Sequence, residues 1–331
     1  MMKTAMILSN AMRQRLFSEK AMEKLRSFGE VVVNETDDTG PEQVKKVISG
    51  ADVAITSWGS GHIDGEILAA APDLKLVVHA AGSVKPIVSD ELWEKGIRVT
   101  GSPKPLGEGV AETALGLSIT ASKNVYWLSK NIAAGGWEEG KDNIRELFDI
   151  TVGVVGAGWA GKHYIRLMRN FGVDILMYDP FISAEKAAEL GAEKAEFEDL
   201  LKRSDIVSIH APSIPETYHM FNAETLKLMK KDAVLVNTAR GSLIDEAALY
   251  DHMKAGNLKY ACLDVTDPEP PAVDHPLRSL PNVIFTPHLA GLVNNGQRRI
   301  GIHTCSEIAK FLNGEKMDCE VTQEMLKNMA R

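Results

Sequence analysis

Short β-branched runs alternate with longer amphipathic stretches along almost the whole chain, and few folds accommodate that pattern. Repeated strand–helix–strand units need crossover connections, which build parallel sheets with helices on their faces. In the first third, strands are expected at Thr4–Leu8, Val31–Val33, Val53–Thr56, Leu76–Val78 and Arg98–Thr100. Helices are expected at Arg13–Phe28 and at Ser89–Lys95, the second stopped by Gly96. A later series places strands at Val152–Val155, Ile175–Tyr178, Ile206–Ile209, Val234–Asn237, Ala261–Val265 and Val283–Thr286. These runs lack strict alternation, as strands covered on both faces do. Between the two series, Gly107–Ile132 reads as one long helix, and a last helix spans Asn294–Asn313 before Gly314. The expected fold class is α/β, with two doubly wound parallel-sheet domains joined near Gly101–Gly107.

Composition narrows the function classes. A chain of 331 residues has room for about two domains. Acidic residues outnumber basic ones 45 to 37, for a formal charge of −8, which argues against a nucleic-acid or anionic-membrane partner. No apolar run approaches a membrane span, and the N-terminal Met1–Asn10 reads as a first strand, not a secretory signal. Cys262, Cys305 and Cys319 show no Cys-x-x-Cys spacing, and an odd number cannot all pair internally. A cytoplasmic location is expected, with no metal site.

The sharpest local signal is Thr151–Val155 running into Gly156-Ala-Gly158-Trp-Ala-Gly161, with a helix expected over Lys162–Phe171. Gly156 permits the tight turn, Gly158 lets backbone amides approach a pyrophosphate, and Gly161 allows close packing of helix on strand. The helix N-terminus then offers free N–H groups to phosphates. Eighteen residues after Gly161, a strand ends at Asp179, where a carboxylate suits a ribose diol and repels a 2′-phosphate. No arginine follows at Pro180, Phe181 or Ile182, so NAD is expected over NADP.

Three polar residues lie beyond the ends of three successive strands: Arg240 in Asn237-Thr-Ala-Arg240-Gly, Glu269 in Asp264-Val-Thr-Asp-Pro-Glu269-Pro270, and His288 in Thr286-Pro287-His288. Open α/β sheets hold ligands at such carboxyl ends. Taken with the glycine turn and with Leu263-Asp264-Val, these motifs resemble the D-isomer-specific 2-hydroxyacid dehydrogenases. The resemblance runs from about Leu76 to Gly291 and is weaker in the first 75 residues. With no regulatory domain after the last helix, the chain looks like a short member.

The resemblance implies a Rossmann NAD-binding domain, residues 102–290, inserted in a flavodoxin-like substrate domain made of residues 1–101 plus 291–331, closing around substrate. It implies His288 as acid/base, Glu269 as its partner and Arg240 as anchor for a substrate carboxylate. Chemistry supports those roles: an imidazole can supply a proton near neutral pH, and a guanidinium fork suits a carboxylate. Carried onto matching positions, it also implies cofactor contacts from Trp159, Ala160, Pro180, Ala211, Pro212, Thr217, Thr238, Ala239, Asp264, His288 and Gly291. Asp264 reads nearly as well as a strand-end cap. A homodimer through the NAD domain is implied, with Trp137 read as an interface anchor in preference to a cover for the partner's pocket.

The substrate loop departs from the family form. Ala81, Gly82, Ser83 and Val84 offer backbone amides for a carboxylate, but Val84-Lys85-Pro86 stands where the family commonly has Asp-Asn. Lys85 or Lys104 facing a second acidic group is weighed against plain surface lysines, and Trp58 as a pocket wall against a core role. Glu112 matches the family. His79 and His210 read as structural residues. The expected reaction is reversible hydride transfer between NADH and a small 2-keto acid. The alternatives are a non-catalytic NAD-sensing scaffold on the same fold, or a formate- or phosphite-type dehydrogenase.

Overall fold

The computed structural model describes residues 2–329. Contacts divide the chain into two units, one comprising the residues up to Leu106 and those from Leu292 on, the other Gly107–Gly291.

The first unit holds β1 (Met2–Met6), β2 (Gly29–Val33), β3 (Val53–Thr56), β4 (Leu76–His79) and β5 (Arg98–Thr100) in the order β2-β1-β3-β4-β5, all parallel. That is the flavodoxin-like order of a doubly wound sheet. The second unit holds β6 (Phe148–Val155), β7 (Gly172–Tyr178), β8 (Glu193–Lys194), β9 (Ile206–Ile209), β10 (Ala233–Asn237), β11 (Leu258–Leu263) and β12 (Val283–Phe285). Their order, β8-β7-β6-β9-β10-β11-β12, is the Rossmann arrangement extended by one parallel strand. A short β13 (Glu320–Val321) then pairs antiparallel with β5 at the edge of the first sheet.

Both sheets are covered on both faces, which is why their strands read as unbroken apolar runs. Along β4, Leu76 and Val78 enter one core with Met6, Ile55, Leu16, Leu25 and Ile300, whereas Val77 enters another with Ala5, Val47, Ile67 and Leu92. In the second unit, Val207, Ile209, Leu235 and Leu263 face one side, and Val152, Val154, Val236 and Cys262 the other.

Three expected helices are interrupted. Arg13–Phe28 is two helices, Asn10–Leu16 and Glu19–Arg26, because Ser18 leaves helical geometry and its hydroxyl caps the Ala21 N–H at 3.3 Å. Gly107–Ile132 lies within Pro103–Ser122 and Val125–Ala133, parted at Asn124, whose φ of 56° is left-handed. The last stretch opens as a 3₁₀ turn, Asn294–Gln297, before the helix Arg298–Leu312. The two-residue strands β8 and β13 carry too few residues for a readable pattern.

Candidate active site

The carboxyl ends of β6, β7, β9, β10, β11 and β12 share one edge of the second sheet, since all its strands run parallel. At β6, Gly156 turns with φ +93°, and a Cβ there would lie 2.7 Å from the Ala211 main-chain nitrogen. A Cβ on Gly161 would sit 2.0 Å from the Gly156 carbonyl oxygen. Only glycine permits this contact between the helix Trp159–Met168 and the strand. A Cβ on Gly158, by contrast, meets nothing within 4 Å, so open space lies before the helix N-terminus formed by Trp159 and Ala160. Asp179 accepts the Ala157 N–H at 2.8 Å with one oxygen and the Phe181 N–H at 2.9 Å with the other. Its carboxylate thus closes the glycine turn beside Pro180 while keeping acceptor capacity. Thr238 is buried, with a hydroxyl that lacks a partner among the described residues. These features fit a dinucleotide: an open cradle of amides, an acceptor for a diol and an orphan hydroxyl nearby.

Thr217 spends its hydroxyl inside its own turn, donating to Pro212 and accepting from Ile214 N–H. Ala211 packs on Gly156, and Ala239 donates its N–H to Asn237 Oδ1 at 3.0 Å. His210 meets Ser208 Oγ at 2.9 Å, and burial pushes its pKa down to about 3. His79, in the first unit, meets Thr56 Oγ1 at 2.8 Å, and burial pushes it down to about 4. Both are structural imidazoles that stay neutral.

The three polar residues sit at adjacent strand ends. His288 Nδ1 lies 2.7 Å from Glu269 Oε2, and the other Glu269 oxygen accepts the Thr266 N–H at 3.2 Å. Arg240 precedes Gly241, where a Cβ would fall 2.0 Å from the Thr266 carbonyl carbon, so the two loops touch at backbone distance. Arg240, Glu269 and His288 are all exposed, as ligand-facing groups must be. Arg240 Nη1 donates to the Ala239 carbonyl at 2.7 Å.

Asp264 caps the loop that carries His288. The buried carboxylate accepts from Thr286 Oγ1 at 2.5 Å, Leu289 N–H at 3.0 Å and Ala290 N–H at 2.8 Å, and its carbonyl accepts from His288 N–H at 2.9 Å. Those bonds hold His288 at φ 49°, a left-handed conformation that histidine rarely adopts. Gly291 ends this segment.

Sequence reading missed the supports beneath Glu269. Glu246 lies 2.8 Å from His275 Nε2 and accepts the Asp267 N–H at 3.0 Å, while burial pushes its carboxyl above the ordinary range. No spacing motif marks that pair; only folding brings it under the loop.

In the first unit, Ala81 and Val84 are buried, Gly82 and Ser83 half-buried, and Trp58 lies exposed after β3. Lys85 Nζ donates to the Met329 carbonyl, and Lys104 Nζ pairs with Asp318 at 2.7 Å. Both lysines are occupied within their own unit, which favours the surface-lysine reading.

A doubly wound sheet with a glycine turn, a terminal acid at β7 and an imidazole–carboxylate pair at β12 defines the class of nucleotide-dependent oxidoreductases. The model of the D-isomer-specific 2-hydroxyacid dehydrogenase NAD-binding domain matches residues 115–290. The chain is 37% identical over 298 residues to D-3-phosphoglycerate dehydrogenase of Methanocaldococcus jannaschii, covering 90% of this chain and 56% of that protein. It is 34% identical over 322 residues to glyoxylate reductase of Thermofilum pendens, covering 95% and 94%. Its fold matches the NAD-complexed D-isomer-specific 2-hydroxyacid dehydrogenase of Lactobacillus delbrueckii with a TM-score of 0.80 at 23% identity, covering 97% of this chain and 100% of that one. The protein belongs to the D-isomer-specific 2-hydroxyacid dehydrogenase family. It spans about half the length of the phosphoglycerate dehydrogenases it matches. No described helix is long and apolar enough to cross a membrane.

Proposed function

We propose that this protein is an NAD-dependent D-2-hydroxyacid dehydrogenase that interconverts a small 2-keto acid and its D-2-hydroxy acid. The observation that carries the reading is the 2.7 Å contact between His288 Nδ1 and Glu269, which leaves Nε2 as the nitrogen that exchanges a proton. Bound NADH supplies the hydride. Arg240 pairs with the substrate carboxylate and draws electron density toward the carbonyl oxygen. His288 donates the Nε2 proton to that oxygen during reduction and takes it back during oxidation, while Glu269 holds the ring and balances the imidazolium charge.

Gly156, Gly158 and Gly161 would seat the pyrophosphate, and Asp179 the adenosine ribose, with NADH preferred over NADPH. In the first unit, the loop Ala81–Val84 is assigned to substrate recognition. Occupation of Lys85 and Lys104 favours an unphosphorylated acid of the glyoxylate or hydroxypyruvate type. The similarity to a glyoxylate reductase over nearly its full length points the same way. Exposed Tyr126, Trp127, Trp137 and Phe148 on the second unit support a homodimer, and three unpaired thiols support a cytoplasmic setting.

The test is NADH and NADPH oxidation with glyoxylate, hydroxypyruvate, pyruvate, phenylpyruvate and 3-phosphohydroxypyruvate. Turnover of the small unphosphorylated acids with NADH is expected. NADH binding without turnover on any of them would replace the enzyme with the sensing scaffold.

A further inference from the structure

Away from that site, the first unit buries three unlike side chains together. His303 and Glu307 stand four residues apart on one face of the helix Arg298–Leu312, and Cys319 immediately precedes β13. One ligand atom from each lies within 4.8 Å of the others, and all three residues are buried. We propose that His303, Glu307 and Cys319 form a binding site for one divalent cation of the zinc class.

Two of the three ligating groups already have outer support of the kind metal ligands carry. His303 Nε2 lies 3.2 Å from the Gly101 carbonyl oxygen. A proton held there leaves the lone pair on Nδ1, and a backbone carbonyl is a usual partner for the distal nitrogen of a ligating histidine. Glu307 Oε2 accepts from Thr100 Oγ1 at 2.6 Å and Cys319 N–H at 3.0 Å, and Oε1 accepts from Asp318 N–H at 2.9 Å. Three of roughly four acceptor positions are filled, and the remaining one is on Oε1. In the absence of an ion, burial pushes the Cys319 thiol up to about 12, so a cation must displace its proton.

Electrostatics favour a cation here. Glu307 is wholly buried and meets no cationic side chain at ion-pair distance among the described residues. The nearby ammonium groups of Lys104 and Lys310 are both held by Asp318. A buried carboxylate is costly to keep ionised. A dication with one thiolate, one carboxylate and one neutral imidazole leaves a site of no net charge. Sulfur and nitrogen donors disfavour magnesium and calcium, which take oxygen, and suit a tetrahedral ion with water in the fourth position. Binding replaces the Cys319 thiol proton, which leaves to solvent, and changes no oxidation state. The bound ion ties the last long helix to β13, the antiparallel edge of the first sheet.

The full chain, stripped with a chelator, is titrated with cobalt(II) and then zinc. One equivalent of cobalt is expected to bind with a thiolate-to-cobalt charge-transfer band, zinc is expected to bleach the band, and zinc is expected to raise the melting temperature. Cys319→Ala should lose the band and weaken zinc binding by at least about 100-fold, beyond what loss of an outer partner causes. Cys305→Ala should keep both. Should Cys319→Ala fail to fold, X-ray absorption on the zinc-loaded wild type decides, one sulfur at about 2.3 Å being expected. Failure to bind one equivalent, cobalt binding without the band, or a zinc shell without sulfur overturns the proposal. Keto-acid turnover plays no part in these readouts, so they stand apart from the function proposed above.

Discussion

Asp264 grips the backbone on which His288 stands. Its carbonyl accepts the His288 N–H at 2.9 Å, and its carboxylate accepts the N–H groups of Leu289 and Ala290. A left-handed residue costs about 1–3 kcal/mol and persists only where surrounding bonds compel it. Asp264→Asn replaces one acceptor oxygen with a donor facing those amides. We expect kcat to fall at least about tenfold and stability to drop by about 1–3 kcal/mol. Steady-state kinetics and thermal unfolding check this, and unchanged kcat would detach the clamp from catalysis.

His288→Gln removes the proton carrier and should lower kcat by about 10²–10⁴. NADH binding, followed by fluorescence, should survive, because the glycine turn lies elsewhere on the sheet edge. In the wild type, reduction needs the imidazolium and falls toward alkaline pH, whereas oxidation needs the neutral ring and falls toward acid. Glu269→Gln, which keeps the shape but not the charge, should lower kcat in both directions. Flat profiles in both directions, with chemistry rate-limiting, would remove His288 from the acid/base role.

Asp179→Ser should relax the cofactor preference. Loss of the carboxylate removes the repulsion toward a 2′-phosphate, so the NADPH-to-NADH ratio of kcat/KM should rise at least about tenfold. A loss of activity with both cofactors in equal measure would mean that Asp179 serves only to hold Ala157 and Phe181.

Acid stability carries a signature of buried histidine. His79 is held neutral, its pKa pushed from 6.5 down to about 4. Between those two values the unfolded chain binds a proton that the native chain does not, so stability is full above pH 6.5 and declines as pH falls toward 4. His79 alone contributes about 3 kcal/mol to that decline. Urea unfolding from pH 7 to pH 4 should show a shallower loss in His79→Gln than in the wild type; parallel curves would refute the assignment.

The homodimer proposed above would be held by exposed aromatics on the second unit. Phe148 and Trp137 are 72% and 69% exposed, far more than large apolar side chains usually are. Phe148→Asp combined with Trp137→Ser should convert a dimer into a monomer by sedimentation. A wild-type chain that sediments as a monomer at micromolar concentration would dismiss the interface.

The strand series was legible because burial on both faces writes each central strand as an apolar run, and β3, β5 and β9 have the expected bounds. Helix interruptions at Ser18 and Asn124 were not, since capping and left-handed geometry depend on where the chain turns back onto its core. The glycine turn was readable because each glycine answers a local steric demand. Arg240, Glu269 and His288 lie in three separate segments, and their place along one sheet edge follows from the parallel order of β10, β11 and β12.

The residue order by itself determined the class of fold and the chemistry available, since periodicity, glycine spacing and side-chain type are local properties. Only the tertiary structure decided that Asp264 caps a loop, that Lys85 and Lys104 are occupied, and that His303, Glu307 and Cys319 meet. Those outcomes depend on which groups the folded chain brings within a few ångströms, and such distances are settled by packing between segments remote in sequence.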